Sequence, residues 1–158
     1  MRELSVSTDV KAPGGFALAF LTTYVSDRAA AGHDGDAQLS LRFPLQHLFG
    51  GLVLEREVTV QVSYLPNAPG EMPRLSICWR PEDTSLFPSF EGRVEATDVA
   101  AHDCTLAIVG TYDVPLGVAG ALFDAVIGVR IARGTLEGLL AEFKAEIEND
   151  YFKRVGSY

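Results

Sequence analysis

Cysteine is scarce in this sequence: two thiols, Cys78 and Cys104, in 158 residues. They lack the spacing of a metal site, and two thiols make no disulfide framework, so a reducing cytoplasm is the expected compartment. Basic residues are also few, with 13 Lys and Arg against 21 Asp and Glu for a formal net charge of −8. An acidic chain of this kind has no electrostatic attraction for nucleic acid or for an anionic membrane surface. Long apolar runs are missing as well. Asp124 and Arg130 interrupt the most hydrophobic stretch, so no segment reaches the roughly 20 apolar residues that a membrane span needs, and no membrane insertion is expected. There is no Gly-rich phosphate loop, no H-E-x-x-H and no G-x-S-x-G. Nothing therefore points to nucleotide binding, a zinc protease or a hydrolase elbow, and no cofactor is expected. The length suits one domain, residues 1–158, with one core.

The N-terminus superficially imitates a secretory signal, because Lys11 precedes an apolar run from Gly14 to Val25. Glu3 and Asp9 stand where a signal carries positive charge, and Leu4, Val6 and Thr8 alternate as in a strand. Residues 2–10 are accordingly predicted as a strand. Pro13 and Gly14 end it. Phe16, Phe20, Leu21, Tyr24 and Val25 then recur at helical spacing, which predicts one helix, or two short ones, over 15–31.

From Ala37 to Tyr112 the apolar period is two. Leu39, Leu41, Phe43 and Leu45 form one run; Val58, Val60, Val62 and Tyr64 another; then come Leu75, Ile77 and Trp79, followed by Phe90, Gly92, Val94 and Ala96, and finally Leu106, Ile108, Gly110 and Tyr112. With the first strand this makes about six antiparallel strands. Beyond Tyr112 the period changes again. Leu122, Val126, Val129, Leu136, Leu140, Phe143 and Ile147 recur every three or four residues, while Arg130, Arg133, Glu137, Glu142, Lys144 and Glu146 fall elsewhere. A single amphipathic helix is predicted from about Pro115 to Asp150, its end marked by the cations Lys153 and Arg154. Strands in series with helices gathered on one face make the class α+β.

The later segments, LFPSFEGRVEATD, TLAIVGTYDVPLG and FDAVIGVRIARGTLEGLLAEF, resemble the C-terminal half of the SRPBCC or START-like superfamily. There, a phrase like FPxFxG leads into a strand, a G-x-Y-x-x-P-L-G turn follows, and a long helix closes the domain. The matching positions are Phe87, Pro88, Phe90 and Gly92, then Gly110, Tyr112, Pro115, Leu116 and Gly117, then Asp124, Arg130, Ile131 and Ala132. Val114 stands where the family often has a first proline, and the N-terminal half agrees only in layout. The resemblance implies a helix-grip fold, a curved antiparallel sheet wrapped around the long C-terminal helix, with a cavity between them for an apolar ligand.

Several chemical constellations have plainer readings. Glu55 and Glu57 share a strand face like an acid/base pair, but Thr59 and Gln61 beside them mark a solvated face. His102 and Cys104 share a parity with Asp103 between them, too little for a nucleophilic dyad. His33, Asp34 and Asp36 lie in a polar loop with no second ligand pair, so no metal is expected. The remaining signal is aromatic. Tyr64, Trp79, Phe90 and Tyr112 fall on the apolar parity of the strands, and Phe123 and Val126 on the helix; these six are the expected ligand-binding residues. Gly110, Gly128, Gly134 and Gly138 are taken as leaving space for the ligand, and Arg42, His47 and Arg80 are polar reserves of undetermined facing. The expected activity is binding or carriage of a hydrophobic small molecule (a lipid, an isoprenoid or a polyketide-like compound) by a monomer or homodimer. The alternatives are a cyclase or dehydratase using Tyr112 or His47 as acid or base, and a protein-interaction module with a filled core.

Overall fold

The computed structural model describes residues 2–27, 36–44, 53–65, 74–79, 89–113 and 125–156. Expectations that fall elsewhere, on Leu122, Phe123, His33, Asp34, His47, Arg80 and the turn around Pro115, lie outside the described residues.

Among the described residues six strands form one sheet: β1 Arg2–Val10, β2 Asp36–Pro44, β3 Val53–Leu65, β4 Arg74–Trp79, β5 Ser89–Ala100 and β6 Asp103–Asp113. All pairings are antiparallel, in the order β1-β6-β5-β4-β3-β2. Helix α1 is Gly14–Asp27, and the long helix α2 is Ala125–Val155. The 31 residues of α2 span about 46 Å at the helical rise. It ends later than the predicted Asp150, with Lys153 and Arg154 in its last turn.

Curvature follows from what α2 touches. β1 and β2 are opposite edges of the sheet, yet α2 packs along both. A flat sheet has its edges far apart, so this one bends round the helix until each edge meets it. The grip also blunts an edge strand, whose open carbonyls invite pairing with other chains. Arg133 donates to the Ser5 carbonyl at 3.4 Å and Lys144 to that of Asp9, while Glu148 accepts from the Lys11 N–H at 3.1 Å. The same contacts set direction: residues 133, 144 and 148 meet 5, 9 and 11, so α2 runs the same way as β1.

Strand parity divides wet from dry. Leu4, Val6 and Val10 on β1, Leu106 and Ile108 on β6, and Leu75 and Ile77 on β4 are buried, while Glu3, Ser5 and Ser7 are exposed. On α2 the buried set is Ala132, Thr135, Leu136, Leu139, Leu140, Phe143 and Ile147. This stripe is wider than the predicted one, adding Ala132, Thr135 and Leu139, because a helix held by both edges of a sheet is covered on two sides. Arg130, Arg133, Glu137, Glu142 and Glu146 are exposed, as the spacing predicts.

α1 closes one end of this interior. Leu18 and Leu21 are buried, Tyr24 packs edge-on against Phe143 at 6.2 Å, and its hydroxyl donates to Glu142 at 2.9 Å. The first turn of α1 has no acidic residue of its own. Asp98 supplies the acceptor instead, taking the Gly14 N–H at 2.8 Å and satisfying one of the donors that a helix start leaves open. The β5–β6 register shifts between Asp98 and Ala100; such an irregularity re-aims side chains near it.

Gly138 requires a correction. It is exposed, and a Cβ built there meets nothing within 4 Å, so it faces open space outside the molecule and makes no room for a ligand. Gly138→Ala should therefore stabilise the protein by about 1 kcal/mol, the helix-propensity difference. A lower denaturant midpoint for this variant would show that the position has a packing role.

Candidate functional site

Cross-strand register brings three of the predicted aromatics into one row. Trp79 of β4 pairs with Phe90 of β5, and Phe90 pairs with Tyr112 of β6. All three are 3% exposed. The Trp79 and Phe90 rings lie 4.9 Å apart, inclined by 30°, an offset-stacked pair that makes this row an apolar wall of the interior. Tyr64 does not join them. It pairs with Leu75, four residues before Trp79 on β4, which puts it about 13 Å along the strands from the row.

The next row shows what lies beneath Phe90. Gly92 pairs with Gly110, and Phe90 Cζ lies only 2.7 and 2.8 Å from where Cβ atoms on the two glycines would be. Phe90 thus folds down over a floor that has no side chains. Gly110 was expected to leave space for a ligand; instead its space is taken by the Phe90 ring and by the close approach of the paired backbones. Both glycines sit in regular strand, so what they provide is clearance. The phrases F-x-G at Phe90 and G-x-Y at Tyr112 are therefore two halves of one packed block.

The row lies at the end of the interior remote from α1. Arg2, opposite Tyr112, is about 10 Å before Ser5 on β1. At the helical rise that equals about seven residues of α2 before Arg133, so the first turn of α2, where Val126 stands, is level with the row. Among the described residues none offers the Tyr112 hydroxyl a hydrogen-bond partner. Buried tyrosine hydroxyls usually have one, and an unmet polar group in an apolar setting costs free energy. Thr135 is the one buried polar side chain found on α2 among the described residues. No sequence signal marked it, since a threonine among leucines passes for a surface residue until both flanks of the helix are covered.

His102 and Cys104 do not act together. His102 sits exposed in the β5–β6 turn with Nδ1 2.5 Å from the Tyr151 hydroxyl, whereas Cys104 is fully buried. Burial, then the charges of Asp98 and Asp103, push the Cys104 thiol above its ordinary pKa, which disfavours the thiolate a nucleophile needs. The register sets Glu55 opposite Arg42 and Glu57 opposite Ser40 on neighbouring strands. Among the described residues no group of three potential ligands could hold a metal ion, and no helix is long and apolar enough to cross a membrane.

No protein-family model matches the sequence, and comparison with curated proteins gives no match. Solved structures do resemble it. A START superfamily protein from Mycobacterium smegmatis superposes with a TM-score of 0.56 at 17% identity, covering 93% of this chain and 97% of that one. A conserved protein from Geobacillus kaustophilus gives 0.59 at 14%, covering 96% of each chain. The di-domain ARO/CYC BexL from the BE-7585A biosynthetic pathway gives 0.54 at 10%, over 94% of this chain and 49% of its own. Identities this low speak to architecture alone, and over nearly the whole chain that architecture is the helix grip, α+β with a curved antiparallel sheet around a long C-terminal helix.

Proposed function

We propose that the protein binds a hydrophobic small molecule between the first turns of α2 and the wall formed by Trp79, Phe90 and Tyr112, without making or breaking a bond. The observation that carries this reading is the Tyr112 hydroxyl, buried at the edge of an apolar wall with no partner among the described residues. Sites for apolar guests combine such walls with a few polar groups that orient the guest. Neighbours in structure support a ligand-holding role for the fold, one being a START superfamily protein and another an ARO/CYC protein. Phe123, Val126 and Tyr64 remain part of the proposed lining, with Tyr64 at its far side.

Cyclase or dehydratase chemistry, suggested by the ARO/CYC neighbour, is the weaker reading. Acid–base catalysis calls for titratable groups in mutual reach, and Arg2, the titratable residue paired with Tyr112 across β1 and β6, is exposed instead of enclosed with it.

Titration with the neutral probe N-phenyl-1-naphthylamine tests the proposal. Saturable binding at about one probe per chain is expected, with quenching of Trp79, the only tryptophan. Native mass spectrometry of freshly purified protein should show a co-purified apolar compound. Unsaturable probe uptake with unchanged Trp79 emission would favour the interaction-module reading.

A further inference from the structure

The two edges of the sheet are finished differently. β1 is covered: Arg133 and Lys144 of α2 donate to the carbonyls of Ser5 and Asp9, and Glu148 accepts from the Lys11 N–H. β2, at the other edge, pairs with β3 alone among the described strands. α2 packs along β2 as well, but a helix gripped by a curved sheet meets its concave face, whereas the N–H and C=O groups of a strand point sideways in the plane of the sheet. An edge of this kind is a template for another strand unless something blunts it. Within β2 the devices that discourage such pairing are missing. It is nine residues long, where edge strands are blunted by being short. Its register with β3 runs unbroken from Asp36 opposite Gln61 to Pro44 opposite Val53, with no bulge. It has no lysine, and its one proline is its last residue.

β2 also complements itself. Two copies related by a two-fold axis run antiparallel, and opposed residues share a face of the sheet, so only positions of like parity can stand opposite one another. Centring on Leu39 sets Leu39 opposite Leu39, Ala37 opposite Leu41, Gln38 opposite Ser40 and Asp36 opposite Arg42. Apolar then meets apolar, polar meets polar, and the axis repeats the Asp–Arg match on its other side. Arg42 already stands opposite Glu55 of β3. In the pair its position is flanked by acidic residues on both sides, each one strand spacing of about 5 Å away. Centring on Ser40 instead sets Asp36 opposite Pro44, which has no N–H to give, and leaves Arg42 opposite Gln38.

We propose that the protein pairs with a second copy of itself through β2, with Leu39 at the two-fold axis, so that one antiparallel sheet runs through both chains. Only residues 36–42 of each strand take part. That is less than a standard interface, so the dimer is weak, with a Kd on the order of 10 to 100 µM.

Sedimentation of the full chain should show a mass that rises from that of one chain, 17.1 kDa, toward twice that value between about 1 and 500 µM. Asp36→Arg sets an arginine opposite each Arg42 and should weaken association by about tenfold or more. Its denaturant midpoint at low protein concentration should match the parent's, since residue 36 is the first of its strand. The register is read by oxidising four single-cysteine variants, Gln38→Cys, Leu39→Cys, Ser40→Cys and Leu41→Cys, each made in Cys78→Ser because Cys104 is buried and Cys78 is not fully so. A disulfide needs Cα atoms within about 7 Å, and only a position at the axis brings its two copies that close. Leu39→Cys should therefore cross-link and the others should not. A monomer throughout the concentration range, or a dimer indifferent to Asp36→Arg, would overturn the pairing. Cross-linking at 40 or 41 in place of 39 would overturn the register. Should Leu39→Cys fail to fold, the response of the mass to Asp36→Arg and the lack of cross-links at 38, 40 and 41 still decide.

Discussion

Phe143→Ala should cost the fold about 3 to 5 kcal/mol, the range for emptying a buried phenylalanine site. Phe143 is 2% exposed and meets Tyr24 edge-on, so it ties α2 to α1 as well as to the sheet. Truncation leaves a void at a three-way junction whose neighbours belong to separate elements and cannot all relax into it. The Tyr24 hydroxyl, bonded to Glu142 one residue away on α2, further fixes the Tyr24 ring and keeps it from collapsing into the space. Leu136→Ala, 1% exposed, should lose about 2 to 5 kcal/mol. Glu146→Ala, on the exposed face, should change little. Urea titrations of the three variants check the assignment, and equal losses would mean that the buried face of α2 is wrong.

How much of this was readable in the sequence differs between elements for identifiable reasons. Period is a local property, and so the strands were found and α2 was recognised by the recurrence of Leu136, Leu140, Phe143 and Ile147. Parity is nearly as local: it put Trp79, Phe90 and Tyr112 on the buried face, where they are. Register is not local. Nothing within β4, β5 or β6 says that Trp79, Phe90 and Tyr112 stand abreast, or that Tyr64 stands two rows away, because the alignment depends on the turns and on the irregularity between Asp98 and Ala100. The same gap explains the misreading of Gly110. A glycine seen alone suggests empty space; seen opposite Gly92 and beneath Phe90 it is a place where two backbones and a ring meet. Contacts between distant parts of the chain, such as Asp98 with the start of α1 or Lys144 with the carbonyl of Asp9, were equally out of reach. Their partners are 84 and 135 residues apart.

Gly110→Ala is expected to destabilise the protein by about 3 kcal/mol, at the upper end of what overpacking usually costs. A methyl at this position would fall well inside contact of the Glu91 carbonyl oxygen, as well as 2.6 Å from the Gly92 Cα and 2.8 Å from Phe90 Cζ. The ring tip can swing aside; the two backbone atoms move only if β5 and β6 separate, which strains the ladder that carries Phe90 and Tyr112. Gly92→Ala meets the mirror problem against the carbonyl of Val109 and the Cα of Gly110 and should behave alike. Because the two positions share one tight spot, the double variant should lose less than the sum of the singles, the signature of coupled neighbours. Binding should suffer with stability: lifting Phe90 off the glycine floor tilts the wall it forms with Trp79, so the affinity of N-phenyl-1-naphthylamine should fall under conditions where the variant remains folded. Gly138→Ala is the internal control, the same one-methyl change on the exposed side of α2 with the opposite sign. Denaturant titrations giving both substitutions the same sign would show that the Phe90–Gly92–Gly110 block is not packed as described.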